Sequence, residues 1–272
     1  MVKRGKLYTS VRDNIKSFDI IFFKGNDFVS KTILKLEKHG NKIPINGGFT
    51  HVGLCLKYDI LQYIPELDGL INEDTIYVWE SSISGELGSK VYNIYGETFL
   101  GVQLRNFDEL IVSYDSSDDT AIAIGSIKNN PISKKENNIK EVAETFKEIF
   151  NKYNGRYYDA NCCSLCSTIC GCCRKSARKS EKVLNTEEWY FCSELVANVF
   201  RDMGIINPSI DPKTVTPVDL CYFTGDQDFI NDKKNRKNSN NKMIIKKLTY
   251  VVSPKHYVPN ISDIEYSVKK SL

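Results

Sequence analysis

Histidine is scarce in this chain: His39, His51 and His256 are the only three among 272 residues. Any chemistry that needs a base working near neutral pH therefore has few side chains to draw on. No stretch approaches the roughly 18–20 apolar residues that a membrane-crossing helix requires. The opening segment MVKRGKLYTSVRDNIKS is basic but has no apolar core behind it, so it does not read as a secretory signal. The net charge of +3 is too small to argue for nucleic acid as a partner. There is no internal repeat.

What is present is ordinary globular material, with 41% hydrophobic and 26% charged residues. The length suits a single domain, residues 1–272, with a proper core. A cytoplasmic location is expected, with membrane association or packaging in a virion as further options. In the cytosol the nine cysteines are expected to be reduced, catalytic, metal-bound or lipidated rather than a disulfide framework.

Hydrophobic patterning predicts short strands over 19–23, 49–56, 75–82 and 101–105, and a last strand within 247–259. Helices are predicted over 27–38, closed by His39-Gly40, and over 140–153, stopped by Asn154-Gly155. Residues 115–139 read as a flexible loop between short elements, and 225–246 as a solvated basic loop. Strands first and a helix late point to an α+β fold rather than a parallel βαβ sheet.

The segment EEWYFCSELVANVFRDMG, residues 187–204, carries the strongest signal. Phe191, Leu195, Val196, Val199, Phe200 and Met203 make an apolar stripe at helical spacing, and Gly204 supplies the stop. Cys192 then falls in the first turn, where unpaired N–H groups and the helix dipole favour a thiolate. A buried structural cysteine is the competing reading.

Of the possible bases, His39 sits at a helix end beside Lys38, and His256 lies in a late Pro-Lys-His-Tyr stretch read as surface. His51 lies within the strand FTHVGLCL, sharing a face with Gly53 and Cys55 while Val52, Leu54 and Leu56 take the other. Glu80 interrupts the apolar run YVWESS on the next strand. A buried glutamate needs a partner, and an imidazole N–H would be one. A solvent-facing Glu80 is the alternative.

The order D-I-I-F-F, F-T-H-V-G-L, V-W-E-S, Y-N-G-R-Y-Y-D, Y-F-C-S-E-L-V and T-P-V-D-L resembles the circularly permuted branch of the NlpC/P60 papain-like superfamily. That branch includes YiiX-like hydrolases and proteins of poxviruses and other large DNA viruses, with the lecithin-retinol acyltransferase group more distant. The similarity runs from about residue 17 to 222 and implies a permuted papain-like fold, an antiparallel sheet or half-barrel packed on the nucleophile helix. It also implies Cys192 as nucleophile, His51 as general base and Glu80 as the residue that orients it. Asp19 matches a structural acidic position, and Tyr158 and Asp159 match a Y-D pair that lines or braces the cleft. No cofactor or metal is required. The implied reaction is thiol hydrolysis of an amide or peptide bond through an acyl-enzyme thioester. A lipid-directed acyltransferase or phospholipase, and an inactive binding protein that keeps the fold, are the alternatives.

The chain departs from the family at about 160–185, where Cys162, Cys163, Cys166, Cys170, Cys172 and Cys173 precede a basic run. Zinc or copper binding through the C-x-x-C of Cys163 and Cys166 is one reading. Disulfides, S-acylation forming a peripheral membrane anchor with the basic residues, and a loop without fixed ligand are the others. An anchor here would favour a lipid or lipidated substrate.

Overall fold

In the computed structural model, residues 6–25, 49–83, 91–114, 121–128, 130–133, 138–158, 189–222 and 245–252 are described. The strands are β1 (Lys6–Leu7), β2 (Ile20–Lys24), β3 (His51–Leu56), β4 (Tyr77–Ile83), β5 (Leu100–Asn106), β6 (Ala121–Ile127), β7 (Tyr157–Tyr158), β8 (Trp189–Tyr190) and β9 (Ile245–Val252). The helices are α1 (Tyr8–Val11), α2 (Tyr58–Leu61), α3 (Phe107–Tyr114), α4 (Ile139–Tyr153), α5 (Cys192–Asp202) and α6 (Pro217–Tyr222). Among the described residues, the strands form one sheet in the order β1-β9-β6-β2-β3-β4-β5-β7-β8. The central ladders are antiparallel, and parallel pairing occurs only at the two ends, β1 with β9 and β7 with β8. The fold class is therefore α+β, as the patterning predicts.

Strand alternation sends side chains to two cores. Val52, Leu54 and Leu56 join Trp79, Leu104, Phe146 of α4 and Val196 of α5 on one face. Ile21, Phe23, Cys55 and Val78 meet Phe107, Leu110 and Ile111 of α3 on the other. Trp79 is the largest buried side chain of the first core. Its ring stacks on Phe150 at 5.1 Å, meets Phe146 edge-on at 5.5 Å, and its Nε1–H donates to Asn154 Oδ1 at 3.1 Å.

Helix α4 starts where Asn138 accepts a hydrogen bond from Lys140 N, and buries Val142, Ala143, Phe146, Ile149, Phe150 and Tyr153. It ends at Asn154, and Gly155 takes the left-handed turn (φ 75°) that starts the segment leading into β7. Gly155 N then donates to Val102 O and Val102 N donates to Arg156 O, so the G-R-Y-Y segment is laid along β5.

Two expectations need correction, and one helix was not anticipated. Residues 121–127 are not part of a loop: they form β6, between β2 and β9. Ile122 and Ile124 serve one core and Ala123 and Ile127 the other, an alternation hidden by the polar residues around it. Residues 107–114 form α3, on Phe107, Leu110 and Ile111 at i, i+3, i+4. The last strand begins at Ile245, earlier than 247, which also shortens the basic loop read to 246. The predicted helix over 27–38, His39, His256, Asp159, the cysteine-rich insert and most of the basic loop lie outside the described residues.

Replacing Trp79 with Ala should cost about 3–5 kcal/mol, read as a lower urea midpoint. Trp79→Phe keeps the aromatic contacts and loses the Asn154 hydrogen bond, so its cost should be about 1 kcal/mol. Equal losses in the two variants would show that the ring packing is not what holds this face.

Candidate functional site

Three adjacent strands meet a helix terminus at the site. β3 pairs with β4 through Leu54↔Trp79, Cys55↔Val78 and Leu56↔Tyr77. Further along, His51 stays paired with Phe23 of β2, while Glu80 stays paired with Gln103 of β5. Gly53 lies where β3 and β4 are closest, and a Cβ there would overlap Val78 Cγ2 and come within 3.1 Å of Glu80 Cβ. The missing side chain makes room for Glu80 to extend toward His51.

His51 Nε2 is 2.6 Å from Glu80 Oε2. The His51 side chain is 16% exposed and the Glu80 side chain 0%. His51 therefore reaches the surface, while its partner Glu80 is wholly inside. Nε2 is taken by Glu80, which leaves Nδ1 as the free ring nitrogen, and Cys192 lies near enough to raise the affinity of the imidazole for its proton. The other oxygen of Glu80, Oε1, accepts from Arg105 Nε at 2.7 Å and from Arg105 Nη2. Nη1 of Arg105 reaches Val91 O at 3.4 Å. The described site is thus a line of four groups: Cys192, His51, Glu80, Arg105.

Cys192 is the first residue of α5, preceded by Phe191 in extended conformation. Its N–H belongs to the first turn, where backbone donors have no partner within the helix. The start of the helix is held from several sides. Phe191 N donates to Glu194 Oε2 at 3.4 Å, Ser193 Oγ donates to Val215 O at 2.7 Å, and Ser81 Oγ donates to Tyr190 O at 2.6 Å. The T-P-V-D segment following Val215 is itself a helix start. Thr216 N donates to Asp219 Oδ2, Asp219 N donates to Thr216 Oγ1, and Pro217 takes the first helical position of α6. The predicted stripe of α5 packs into the first core through Leu195, Val196, Val199, Phe200 and Met203, and Ser193, Glu194 and Asn198 are buried as well, so residues 192–200 are covered on every side. The helix is enclosed by the fold, and periodicity understated that.

The electrostatics follow from enclosure. Burial by itself pulls the imidazole of His51 down, but Cys192 and Glu80 beside it push it up to about 10. Burial by itself pushes the carboxyl of Glu80 up, but the Arg105 guanidinium and His51 hold it down at about 2. The arrangement favours a charged imidazole between two groups that can carry negative charge.

Asp19 lies elsewhere. Its carboxylate accepts from Lys16 N at 3.0 Å, Ile127 N at 3.1 Å and Asn130 Nδ2 at 3.4 Å, and its backbone carbonyl accepts from Cys55 N. Burial pushes it up to about 6 against those hydrogen bonds. It ties β2 to the end of β6 and to β3, and it does not join the four-residue line. The Tyr158 ring stands edge-on to Phe191 at 5.9 Å, and Tyr158 pairs with Tyr190, so it braces the residues before the nucleophile. Arg105 is the site residue that patterning missed. It closes the predicted strand GVQLR, and a cation on the strand next to the one that carries Glu80 was the available signal.

No protein-family profile matches the chain, and no curated protein matches it. Among solved structures it is similar to the metalloprotein YiiX from Escherichia coli O157:H7, at 15% sequence identity and a TM-score of 0.38, over 89% of this chain and 90% of that one. Among the described residues, no group of three or more His, Cys, Asp and Glu is placed to hold a metal ion. No helix among them is long and apolar enough to cross a membrane.

Gly53→Ala should lower stability by about 1–3 kcal/mol and loosen the Glu80–His51 contact, seen as a changed His51 imidazole signal in NMR. An unchanged signal would mean that Gly53 serves packing only. The two shifted groups also set a pH window. Glu80 sits below its ordinary 4.5, so its contribution is present above pH 4.5 and is lost as pH falls toward 2. His51 sits above its ordinary 6.5, so its contribution is present below 6.5 and fades as pH rises toward 10. Urea midpoints measured across pH should therefore show an acid limb that flattens in Glu80→Gln and an alkaline limb that flattens in His51→Gln.

Proposed function

We propose that the chain is a thiol hydrolase that cleaves an amide or peptide bond through a covalent thioester on Cys192. The observation that supports this most directly is the line Cys192–His51–Glu80, in which one imidazole is held at 2.6 Å by a buried carboxylate and is raised by the neighbouring helix-start cysteine. A structural cysteine has no need of an oriented base, and a structural histidine has no need of two polar partners.

The chemistry uses His51 as base, then as acid, then as base again. The Cys192 proton passes to His51, and the sulfur attacks the acyl carbon of the substrate. The C–S bond forms as the carbonyl π bond opens, and the oxyanion is met by the Cys192 N–H in the first turn of α5. The carbonyl then re-forms, the C–N bond breaks, and His51 delivers its proton to the departing amine. Water, deprotonated by His51, resolves the thioester to an acid and restores the thiol. Glu80 remains ionised throughout and fixes the ring so that Nδ1 faces sulfur. The chain order, histidine strand before cysteine helix, agrees with a permuted papain-like arrangement.

Incubation with a peptide and amide library, followed by mass spectrometry, should reveal an acyl adduct on Cys192 that hydroxylamine removes. Cys192→Ala should abolish it, and His51→Gln should slow turnover by roughly 10³-fold or more. No Cys192-dependent adduct with any amide would sink the hydrolase reading. Adducts arising only from phospholipid vesicles would transfer the same chemistry to a lipid substrate.

A further inference from the structure

We propose that Arg105 is a positioning residue that controls the charge state of the whole line, acting on His51 through Glu80. This rests on the reading of Cys192 and His51 as nucleophile and base, and it adds a fourth member whose effect is exerted at a distance from sulfur.

The argument starts from Glu80. Its side chain has no exposed surface. A lone carboxylate in such a place takes up a proton rather than stay charged. A protonated Glu80 offers no counter-charge to an imidazolium and is a poor acceptor for the ring N–H. The fold avoids this by dividing the two carboxylate oxygens between two cations. Oε1 belongs to Arg105 through Nε and Nη2, and Oε2 belongs to His51. Arg105 is itself buried, at 4% exposure. Its backbone is set by pairing with Val78 on one side and by a bridge to Asn93 on the other. The guanidinium cannot give up its charge, and its fork fits one carboxylate edge in a way that an ammonium does not.

The charged groups that act on this line come from three neighbouring elements: His51 from β3, Arg105 from β5 and Cys192 from α5, with Glu80 itself on β4 between them. The other buried titratable groups on these elements are the Cys55 thiol of β3 and the Glu194 carboxylate of α5, which accepts from Phe191 N. With the thiolate–imidazolium pair formed, the line reads minus at Cys192, plus at His51, minus at Glu80 and plus at Arg105, and the sum is zero. Without Arg105 the same state carries one uncompensated negative charge in a buried site. The relief is a proton on Glu80, after which His51 loses its counter-charge and the thiol loses its acceptor. Arg105 thus decides whether the resting site is an ion-paired line or a neutral one, acting through the carboxylate it shares with His51.

The test uses the full chain with ¹⁵N-labelled histidine, in which three imidazoles are present and His51→Gln assigns the relevant signal. Two quantities are followed against pH: the protonation midpoint of His51 and the rate at which iodoacetamide alkylates Cys192. The variants are Arg105→Met, Arg105→Lys, Glu80→Gln and the double Arg105→Met with Glu80→Gln. In Arg105→Met the His51 midpoint should fall by at least one unit, and alkylation at neutral pH should slow about 10-fold or more. Arg105→Lys should recover part of both. In the Glu80→Gln background, Arg105→Met should cause no further loss, because its route has already been removed. A folded Arg105→Met protein whose midpoint and alkylation profile match the parent would overturn the proposal. So would a full additional loss in the Glu80→Gln background. If Arg105→Met does not fold, Arg105→Lys decides: a shifted His51 midpoint supports the proposal, and an unchanged one overturns it. Alkylation of Cys192 no faster than that of an ordinary thiol in the parent chain would instead count against the hydrolase reading, while the His51 midpoint would still report on Arg105.

Discussion

A carboxylate without exposed surface is among the costliest charges a fold can carry, and the site is organised around keeping Glu80 in that condition. Its two oxygens face two cations from two different strands. That division requires β3, β4 and β5 to be adjacent and in one register, with Glu80 level with Gln103 and two residues along from the pairing of Arg105 with Val78. A slip of one residue would turn Glu80 to the other face and leave three polar groups among apolar ones. The register of the central sheet and the chemistry of the site are therefore one constraint. Gly53 belongs to it as well, because only a residue without Cβ lets β4 come close enough for Glu80 to reach His51.

The nucleophile is held in a different way. Helix α5 is buried along its first nine residues, and its start is fixed by hydrogen bonds to Val215, to Tyr190 through Ser81, and to the Glu194 carboxylate. The polar residues of the Y-F-C-S-E-L segment each have a structural task there. The Ser193 hydroxyl reaches the carbonyl before T-P-V-D, and T-P-V-D is a capping box on a proline start. Two sequence segments separated by more than a dozen residues are thus joined by one hydrogen bond beside the reactive thiol. This physical link explains why these two motifs accompany one another in the chain.

How much of this could be read beforehand varied with the kind of signal. Period-2 alternation placed His51 and Glu80 on strands, and the helix pattern put Cys192 at a helix start, so the triad residues were legible. The link between His51 and Glu80 was legible as a buried acid in need of a partner, whereas that between His51 and Cys192 came only through the family resemblance, since nothing local relates the two. Arg105 was missed because a single cation ending a strand looks like an ordinary solvent-facing residue; only the register reveals that it faces a buried carboxylate. β6 was missed for another reason. Its alternation of Ile122 and Ile124 against Ala123 and Ile127 depends on a sheet that covers both faces, so it reads as an apolar run in polar surroundings. The stripe on α5 was too narrow for the same reason: Ser193, Glu194 and Asn198 are buried because they are hydrogen-bonded, and hydropathy does not register that.

The chain order of the four groups has a consequence for synthesis. His51, Glu80 and Arg105 come from consecutive strands of a meander, joined by contacts of modest sequence separation, whereas Cys192 arrives much later. Contacts of that kind close with less loop entropy than the docking of α5 against β3. The base and its supports can assemble while the sulfur is still in the unfolded remainder of the chain. An unfolded cysteine has no imidazole beside it and behaves as any other thiol. Under the proposed function, any reactivity that Cys192 owes to His51 is then acquired in one late event, when α5 seats and its first turn meets a ring already held in place. On that reading a nascent chain does not carry a reactive cysteine during the period when it is most exposed to other proteins.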